Sequence, residues 1–407
     1  MEKEITVALT AINGYGRGYL NEMLDHATDK NVRLVGIIDP TAKLSDRFSE
    51  LESLGVPCFS TLEEFYAKHN ADLVVISAPI QFHVPFSKLA LAHGSNVLCE
   101  KPLTATIQDG LDLANAEENA KGFAAIGYQH SFAAVTQKLK QDIIAGKFGR
   151  PIQFKNIVLW PRNQKYYTRN NWAGCQKNAK GDWVLDSPVN NANAHHLHNM
   201  LYLLGKTSNT AIKPLQIQAE LYRANPITNY DTAALRCKTE DDVDILFYVS
   251  HAVSFTLGPI INYKFEKATI IGELDGHYFV RYNDGHMEDY GAMNYTHGNK
   301  LWQCVHAVRT KGIVPCDVHT ALSQTICMNG AQDSCPEIIS FPKEIMESTG
   351  EGSEKLYVVK ELTNILSLCF SQGMLPSELG CCPWAKPGKI INLKNYHEFH
   401  GSACVKN

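Results

Sequence analysis

Lys101 is the residue whose type and position most clearly invite chemistry. It sits in the run Val97-Leu98-Cys99-Glu100-Lys101-Pro102. The apolar part reads as a buried strand, which puts Lys101 at a strand's carboxyl end, where open α/β sheets hold their ligands. Apolar surroundings lower an ammonium pKa, which suits a group exchanging protons near neutral pH. Pro102 fixes the backbone beyond it and is compatible with a tight, even cis, turn. An isolated Glu-Lys-Pro also fits a plain surface loop, so its meaning depends on the elements around it.

A second candidate lies near the start of the chain. Ile5 to Leu9 is an apolar run that ends in Ala11-Ile12-Asn13-Gly14-Tyr15-Gly16-Arg17-Gly18, and a helical stretch follows with Leu20 and Leu24 on one face. Such a strand, turn and helix cradle a pyrophosphate when they read Gly-x-Gly-x-x-Gly. Here Ala11, Asn13 and Gly16 take the three glycine positions. Asn13 is read as tolerable because Asn enters left-handed backbone more readily than other side chains. The helix N-terminus still suits an anion. Ile12, Asn13, Gly14, Tyr15 and Gly16 are therefore the expected dinucleotide turn, with a plain Gly-rich turn as the alternative. Asp39 closes the next apolar run, 23 residues after Gly16. A carboxylate there bonds the adenosine ribose and repels a 2′-phosphate, which predicts NAD over NADP; a simple turn Asp before Pro40 is the other reading.

These residues need a particular scaffold. Runs at 5–9, 32–38, 57–59, 73–76, 97–99 and 123–126 read as strands, with helical stretches between them. Ser60 and Glu63 have capping-box spacing and predict a helix to about His69. Pro85 is tolerated in the first turn of another helix. Alternating strands and helices mean βαβ units, a parallel sheet covered on both faces and right-handed crossovers. Residues 1–130 are thus expected to form a doubly wound α/β domain, and 131–407 a second, α+β domain. In the latter, 152–160, 215–222, 232–238, 243–250 and 268–271 read as strands, and 300–309 and 318–330 as helices.

Composition narrows the partners. The 407 residues are 20% charged and 44% hydrophobic, with a formal net charge of −4 and no basic stripe, which argues against nucleic acid or an anionic membrane surface. No apolar run approaches the ~18 residues a membrane span needs. Met1-Glu2-Lys3-Glu4 lacks the cationic start and apolar stretch of a signal peptide. Twelve cysteines show no Cys-x-x-Cys spacing and fit a reducing cytoplasm. Cys99 and Cys327 read as core residues, and Cys381-Cys382 as part of a turn.

The pieces also occur in a familiar order: the turn at 11–16, Asp39, Ser77-Ala78-Pro79 with His83, Glu100-Lys101-Pro102, Gly127-Tyr128-Gln129, Gly146-Lys147-Phe148-Gly149-Arg150-Pro151, and His195 ten residues before Gly205. In these the chain resembles the glucose–fructose oxidoreductase, inositol dehydrogenase and MocA family (Gfo/Idh/MocA). The resemblance implies a Rossmann domain followed by a larger α+β domain on an open, mostly antiparallel sheet, with a homodimer or homotetramer contact. It implies an NAD-dependent oxidoreductase, with Ser77, Pro79, His83, Glu100, Lys101 and Gln129 on the cofactor. Lys101 would take a hydroxyl proton beside the nicotinamide, and Glu100 would orient the cofactor or Lys101.

The family adds a helix bearing a carboxylate, a His four residues on and often an Asp three later. Here Asn191, His195 and His198 stand at i, i+4 and i+7, one helical face. His195 can bond a sugar hydroxyl or relay a proton with Lys101, His198 joins it as a candidate, and Asp186 can supply the charge missing at 191. His196 reads as structural. Two imidazoles lack the further ligands a metal requires, so no metal is expected. Arg162, Arg169 and Trp172, in a stretch rich in aromatics and amides, suit a polyol through ring stacking and hydroxyl pairing, an ordinary loop being the alternative. The expected substrate is a sugar, cyclitol or glycoside. Two other outcomes fit the same residues: a glycoside-oxidising enzyme that makes a 3-keto sugar and recycles tightly bound NAD, and an NAD-binding sensor without turnover.

Overall fold

The computed structural model describes residues 3–272, 274 and 276–401. Met1, Glu2 and Cys404, which entered the sequence reading, lie outside them. The chain forms two compact units. One comprises the chain up to Thr104, Asp109–Ala133 and Tyr295–Leu322; the other comprises Ala105–Gln108, Ala134–Asn294 and the chain from Ser323. Residues 295–322, assigned by sequence to the second domain, are thus part of the first unit.

The first unit is built on six parallel strands: β1 (Ile5–Thr10), β2 (Val32–Ile38), β3 (Cys58–Phe59), β4 (Leu73–Ile76), β5 (Asn96–Cys99) and β6 (Ala124–Ile126), in the order β3-β2-β1-β4-β5-β6. Leu73 to Ile76 and Val97 to Cys99 are all buried, as strands covered on both faces must be. The order reverses between β1 and β4, the point at which doubly wound sheets open a ligand crevice at the carboxyl ends of their strands. Helix α1 (Arg17–His26) follows β1, and α2 (Phe48–Ser53), α3 (Leu62–Tyr66) and α4 (His83–Ala92) follow in the chain. Helix α3 starts one residue later than Ser60 and Glu63 suggested. Thr61 is its cap and accepts from the Glu64 amide, while the Glu64 carboxylate accepts from the amide of Ser60, the residue before the cap, and the helix stops at Tyr66.

The second unit holds a mixed, mostly antiparallel sheet. Its strands are β7 (Pro151–Leu159), β8 (Pro214–Arg223), β9 (Thr232–Thr239), β10 (Asp244–Ser250), β11 (Leu257–Phe265), β12 (Ala268–Gly272), β13 (His277–Tyr282), β14 (Met287–Ala292) and β15 (Ile339–Ser340), ordered β14-β13-β12-β11-β7-β10-β9-β8-β15. Only the β7–β10 and β8–β15 pairs on this path are parallel. One face packs helix Leu362–Gln372 through Leu362, Leu366 and Cys369 against Ile157, Leu246 and Tyr248. Helix Ala194–Leu203 is buried along its whole length, although it carries His195, His196, His198 and Asn199.

Candidate active site

The turn at residues 11–16, expected to hold a dinucleotide, follows β1 at the switch point. Asn13, however, is extended, with φ −86° and ψ 160°, so its tolerance of left-handed backbone plays no part. The left-handed residues are Ala11, at φ +51°, and Gly14, at φ +64°. Gly16 is required sterically: a Cβ there would meet the Ala11 carbonyl oxygen at 2.0 Å and Ser77 Cβ at 3.2 Å. In contrast, a Cβ on Gly14 would meet nothing within 4 Å. The turn is therefore tight behind and open in front, a shape that fits a pyrophosphate. Asn13 reaches sideways instead, donating to the Thr41 carbonyl at 2.9 Å and to Asp39 Oδ2 at 3.4 Å. Asp39 Oδ1 accepts from the Thr41 amide and hydroxyl, both at 2.7 Å. Among the described residues Oδ2 keeps only that long contact, which leaves it suited to ribose hydroxyls.

Ser77 and Pro79 leave β4 beside this turn, and the Ser77 amide donates to Thr10 Oγ1 at 3.3 Å. His83, 1% exposed, bridges two loops of the same unit: Nε2 lies 2.9 Å from the Ala78 carbonyl and Nδ1 2.7 Å from that of Pro102. It thereby ties the β4 exit to the segment after Lys101. Lys101 directly follows β5, is half-buried, and is joined to Pro102 by a cis peptide bond. Gln129 accepts from Tyr15 Oη at 3.4 Å, linking the loop after β6 to the turn.

Glu100 has a partner that lies 200 residues away in the sequence. Lys300, on helix His297–Thr310, forms an ion pair with Glu100 Oε1, and both side chains are buried. Tyr19 Oη donates to the same oxygen at 2.5 Å, and Lys300 Nζ donates to Tyr15 Oη at 3.2 Å. Glu100 Oε2 accepts from the Lys101 amide at 3.2 Å. Burial alone would raise this carboxyl; the Lys300 ammonium, with help from Tyr19 and Lys101, outweighs it and holds Glu100 below the ordinary glutamate range. A Cβ on Gly127 would press on the carboxylate at about 3 Å, so the glycine makes room for it. Lys300 and Tyr19 were not singled out in the sequence, and Gly127 entered it only as part of the Gly127-Tyr128-Gln129 motif. The available signal was a Lys at the apolar stripe of its helix, one turn before Cys304 and two before Ala307.

In the second unit a chain of contacts gathers the substrate candidates. Asn191 Nδ2 donates to Asp186 Oδ1 at 2.6 Å, and Asp186 Oδ2 accepts from the Gly174 amide at 2.6 Å and approaches Arg169 at 3.5 Å. The Arg169 guanidinium lies 3.8 Å from the Tyr166 ring centre and 5.5 Å from that of Trp172. Arg162 packs on Tyr166 and on Trp160, and Trp160 meets His196 edge-on, beside His195. Asn191 does not share a helix with the histidines. Pro188–Ala192 is a π-helical turn, and Asn193 breaks from helical geometry before Ala194–Leu203 begins. The i, i+4, i+7 relation therefore holds only from His195 to His198. Asp186 and Asn191 still meet, because the carboxylate missing at position 191 stands at 186 and bonds the amide in its place.

His198 is fully enclosed and stacks on Tyr202; burial, reinforced by Lys140, pushes its pKa down to about 3. Burial lowers His196 to about 4. Each is neutral when folded but titrates near 6.5 when unfolded, so below that pH the unfolded chain binds more protons. Stability must therefore rise with pH across this window. Between pH 6.5 and pH 5 each imidazole is expected to cost about 2 kcal/mol. Urea unfolding at those pH values checks this: the acid loss should shrink in His198→Gln, and an unchanged slope removes His198 from the account.

Residues 8–128 match the model of an oxidoreductase family with an NAD-binding Rossmann fold, GFO_IDH_MocA. Over 137 residues the chain is 28% identical to a 1-carboxy-3-chloro-3,4-dihydroxycyclohexa-1,5-diene dehydrogenase of Comamonas testosteroni, covering 34% of each chain. Over 171 residues it is 25% identical to an inositol 2-dehydrogenase of Corynebacterium glutamicum, covering 42% of this chain and 50% of that one. The matches thus span a third to a half of these relatives. Solved structures extend the likeness in fold to both units. The WlbA dehydrogenase of Bordetella pertussis, in complex with NADH and UDP-GlcNAcA, superposes with a TM-score of 0.66 at 20% identity, covering 81% of this chain and 97% of that one. The UDP-N-acetylglucosamine 3-dehydrogenase GnnA of Acidithiobacillus ferrooxidans does so at 0.63 and 16%, covering 80% and 95%. Residues 8–128 are thus similar to the Gfo/Idh/MocA oxidoreductases with an NAD-binding Rossmann fold.

Proposed function

We propose that the protein is an NAD-dependent dehydrogenase that oxidises a secondary hydroxyl of a sugar, cyclitol or glycoside. The observation that carries this reading is Lys101 at the end of β5, beside a carboxylate that a buried ammonium keeps ionised, in the same unit as an open-fronted dinucleotide turn. NAD bound at that turn would supply the hydride acceptor. Lys101 is the proposed acceptor of the hydroxyl proton and its donor in the reverse direction. Glu100 fixes the Lys101 backbone and orients it. Asp186, Asn191, Arg169 and Trp172 are proposed to hold the substrate, with His195 bonding a hydroxyl. His198, neutral and enclosed, supports that helix from behind.

Asp39 is the proposed determinant for NAD. Its Oδ2, held only by the long Asn13 contact among the described residues, would meet the ribose, and its charge would repel a 2′-phosphate. Asp39→Ser is expected to weaken NAD and narrow its preference over NADP by about tenfold or more, since like-charge juxtaposition costs several kcal/mol. Fluorescence titration with both reduced cofactors measures it, and an unchanged ratio excludes Asp39 as the discriminator.

The reading as a whole is tested by following nicotinamide reduction with sugars, inositols and glycosides while assaying nucleotide that co-purifies. Reduction supports a freely exchanging dehydrogenase. Retained nucleotide with oxidised sugar but no net reduction supports in-place recycling. Neither reduction nor bound nucleotide defeats the proposal. A cytoplasmic setting is part of it, supported by the eleven described cysteines, all free thiols. So is a homodimer or homotetramer, which rests on the family alone. No helix among the described residues is long and apolar enough to cross a membrane.

A further inference from the structure

The aromatic and guanidinium cluster of the second unit has one cation too many for a neutral substrate. Arg169 has a carboxylate in Asp186, at 3.5 Å. Arg162 has none among the described residues. The guanidinium's one hydrogen bond there runs from Nη1 to the Pro161 carbonyl at 3.3 Å, and its Nε is buried without a partner. The guanidinium lies between two rings, 5.1 Å from the centre of Tyr166 and 5.7 Å from that of Trp160, which restrict where its plane can point.

Its neighbours offer no compensation. His251, 1% exposed, is kept neutral by burial and by the two guanidiniums themselves, and Tyr167 Oη lies 3.2 Å from its Nδ1. Asp231, whose carbonyl holds the His251 amide, turns its carboxylate the other way. It accepts from the Ala224 and Asn225 amides at 2.9 and 2.7 Å, from Asn225 Nδ2 at 2.8 Å and from Thr232 Oγ1 at 3.1 Å. A half-buried charge with unmet donors is costly unless something else meets it. The planar fork of a guanidinium matches a carboxylate or a phosphate in two-point fashion, which a single hydroxyl cannot do.

We infer that the substrate carries an oxyanion, a sugar carboxylate or a sugar-linked phosphate, seated on Arg162. This rests on the dehydrogenase reading and narrows it from neutral polyols to anionic sugars.

Calorimetric titration of the full chain with methyl glucoside, methyl glucuronide and glucose 1-phosphate tests it, and NADH is titrated into the same samples. At least one anion is expected to bind about tenfold more tightly than the neutral glycoside, the scale of a charge-assisted pair. Preference for the glucuronide identifies the carboxylate, and preference for the phosphate the other source. Arg162→Met should abolish the preference, and Arg162→Lys should retain only part of it. Equal affinity for all three probes, including no measurable binding of any, overturns the inference, as does a preference that survives Arg162→Met. Failure to bind NADH is a separate result: it defeats the dehydrogenase reading whatever the anion arms show. Should Arg162→Met not fold, the wild-type comparison and Arg162→Lys still decide.

Discussion

Lys101→Ala is expected to lower kcat/KM by about 10²- to 10⁴-fold, the contribution of one positioned proton-transfer group, while NADH affinity stays near wild type. The separation of the two readouts matters. Lys101 follows β5, and the contacts that shape the dinucleotide turn run instead through Gly16, Ser77, Asn13 and Asp39. Removing the amine takes away the proposed proton acceptor and leaves that turn intact. Steady-state kinetics on the substrate found by screening, paired with NADH fluorescence titration, measure both. Turnover near wild type would remove Lys101 from the chemistry.

Lys300→Met should destabilise the protein by about 3–5 kcal/mol, because it strands a buried carboxylate. Glu100 would then lose its main compensating charge while keeping the burial that raises its pKa, and it should take up a proton. The double variant Glu100→Gln with Lys300→Met removes both charges. It is expected to recover much of the loss, giving a coupling energy that urea unfolding of the four proteins reads directly. If the double variant is as damaged as the sum of the single ones, the pair is not coupled and the interpretation fails. Activity adds a second readout: Glu100 bonds the Lys101 amide, so both single variants should also lower turnover.

The first sheet was legible in the sequence because its central strands are buried on both faces. Leu73 to Ile76 and Val97 to Cys99 contain no polar residue, and their limits match the structure to within one residue. The second sheet was read in part. Strand β11 is interrupted by Gly258-Pro259, and β14, Met-Glu-Asp-Tyr-Gly-Ala, is a mostly polar edge strand, so neither stood out. Within the candidate site, Asp39 and Lys101 were visible from local pattern, and Asp186 and Asn191 only through the family resemblance. The backbone conformation of the turn was not, since φ of Ala11 and of Asn13 depends on how Thr41 and Asp39 pack around them. Nor was the partner of Glu100. Its sequence separation leaves no periodic trace, and only the odd placement of a lysine on an apolar helix stripe hinted at it.

Helix His297–Thr310 also bears on how the polypeptide matures during synthesis. The nucleotide-binding half receives its buried counter-charge from Lys300, and the Ile126 amide of its edge strand donates to the Cys316 carbonyl. A nascent chain that has emerged only as far as residue 133 holds every strand of that sheet but neither of these groups. Vectorial, domain-by-domain folding from the ribosome is thus interrupted here. The first unit is therefore expected to complete its packing only once residues 297–316 have emerged, through the closure of a long loop.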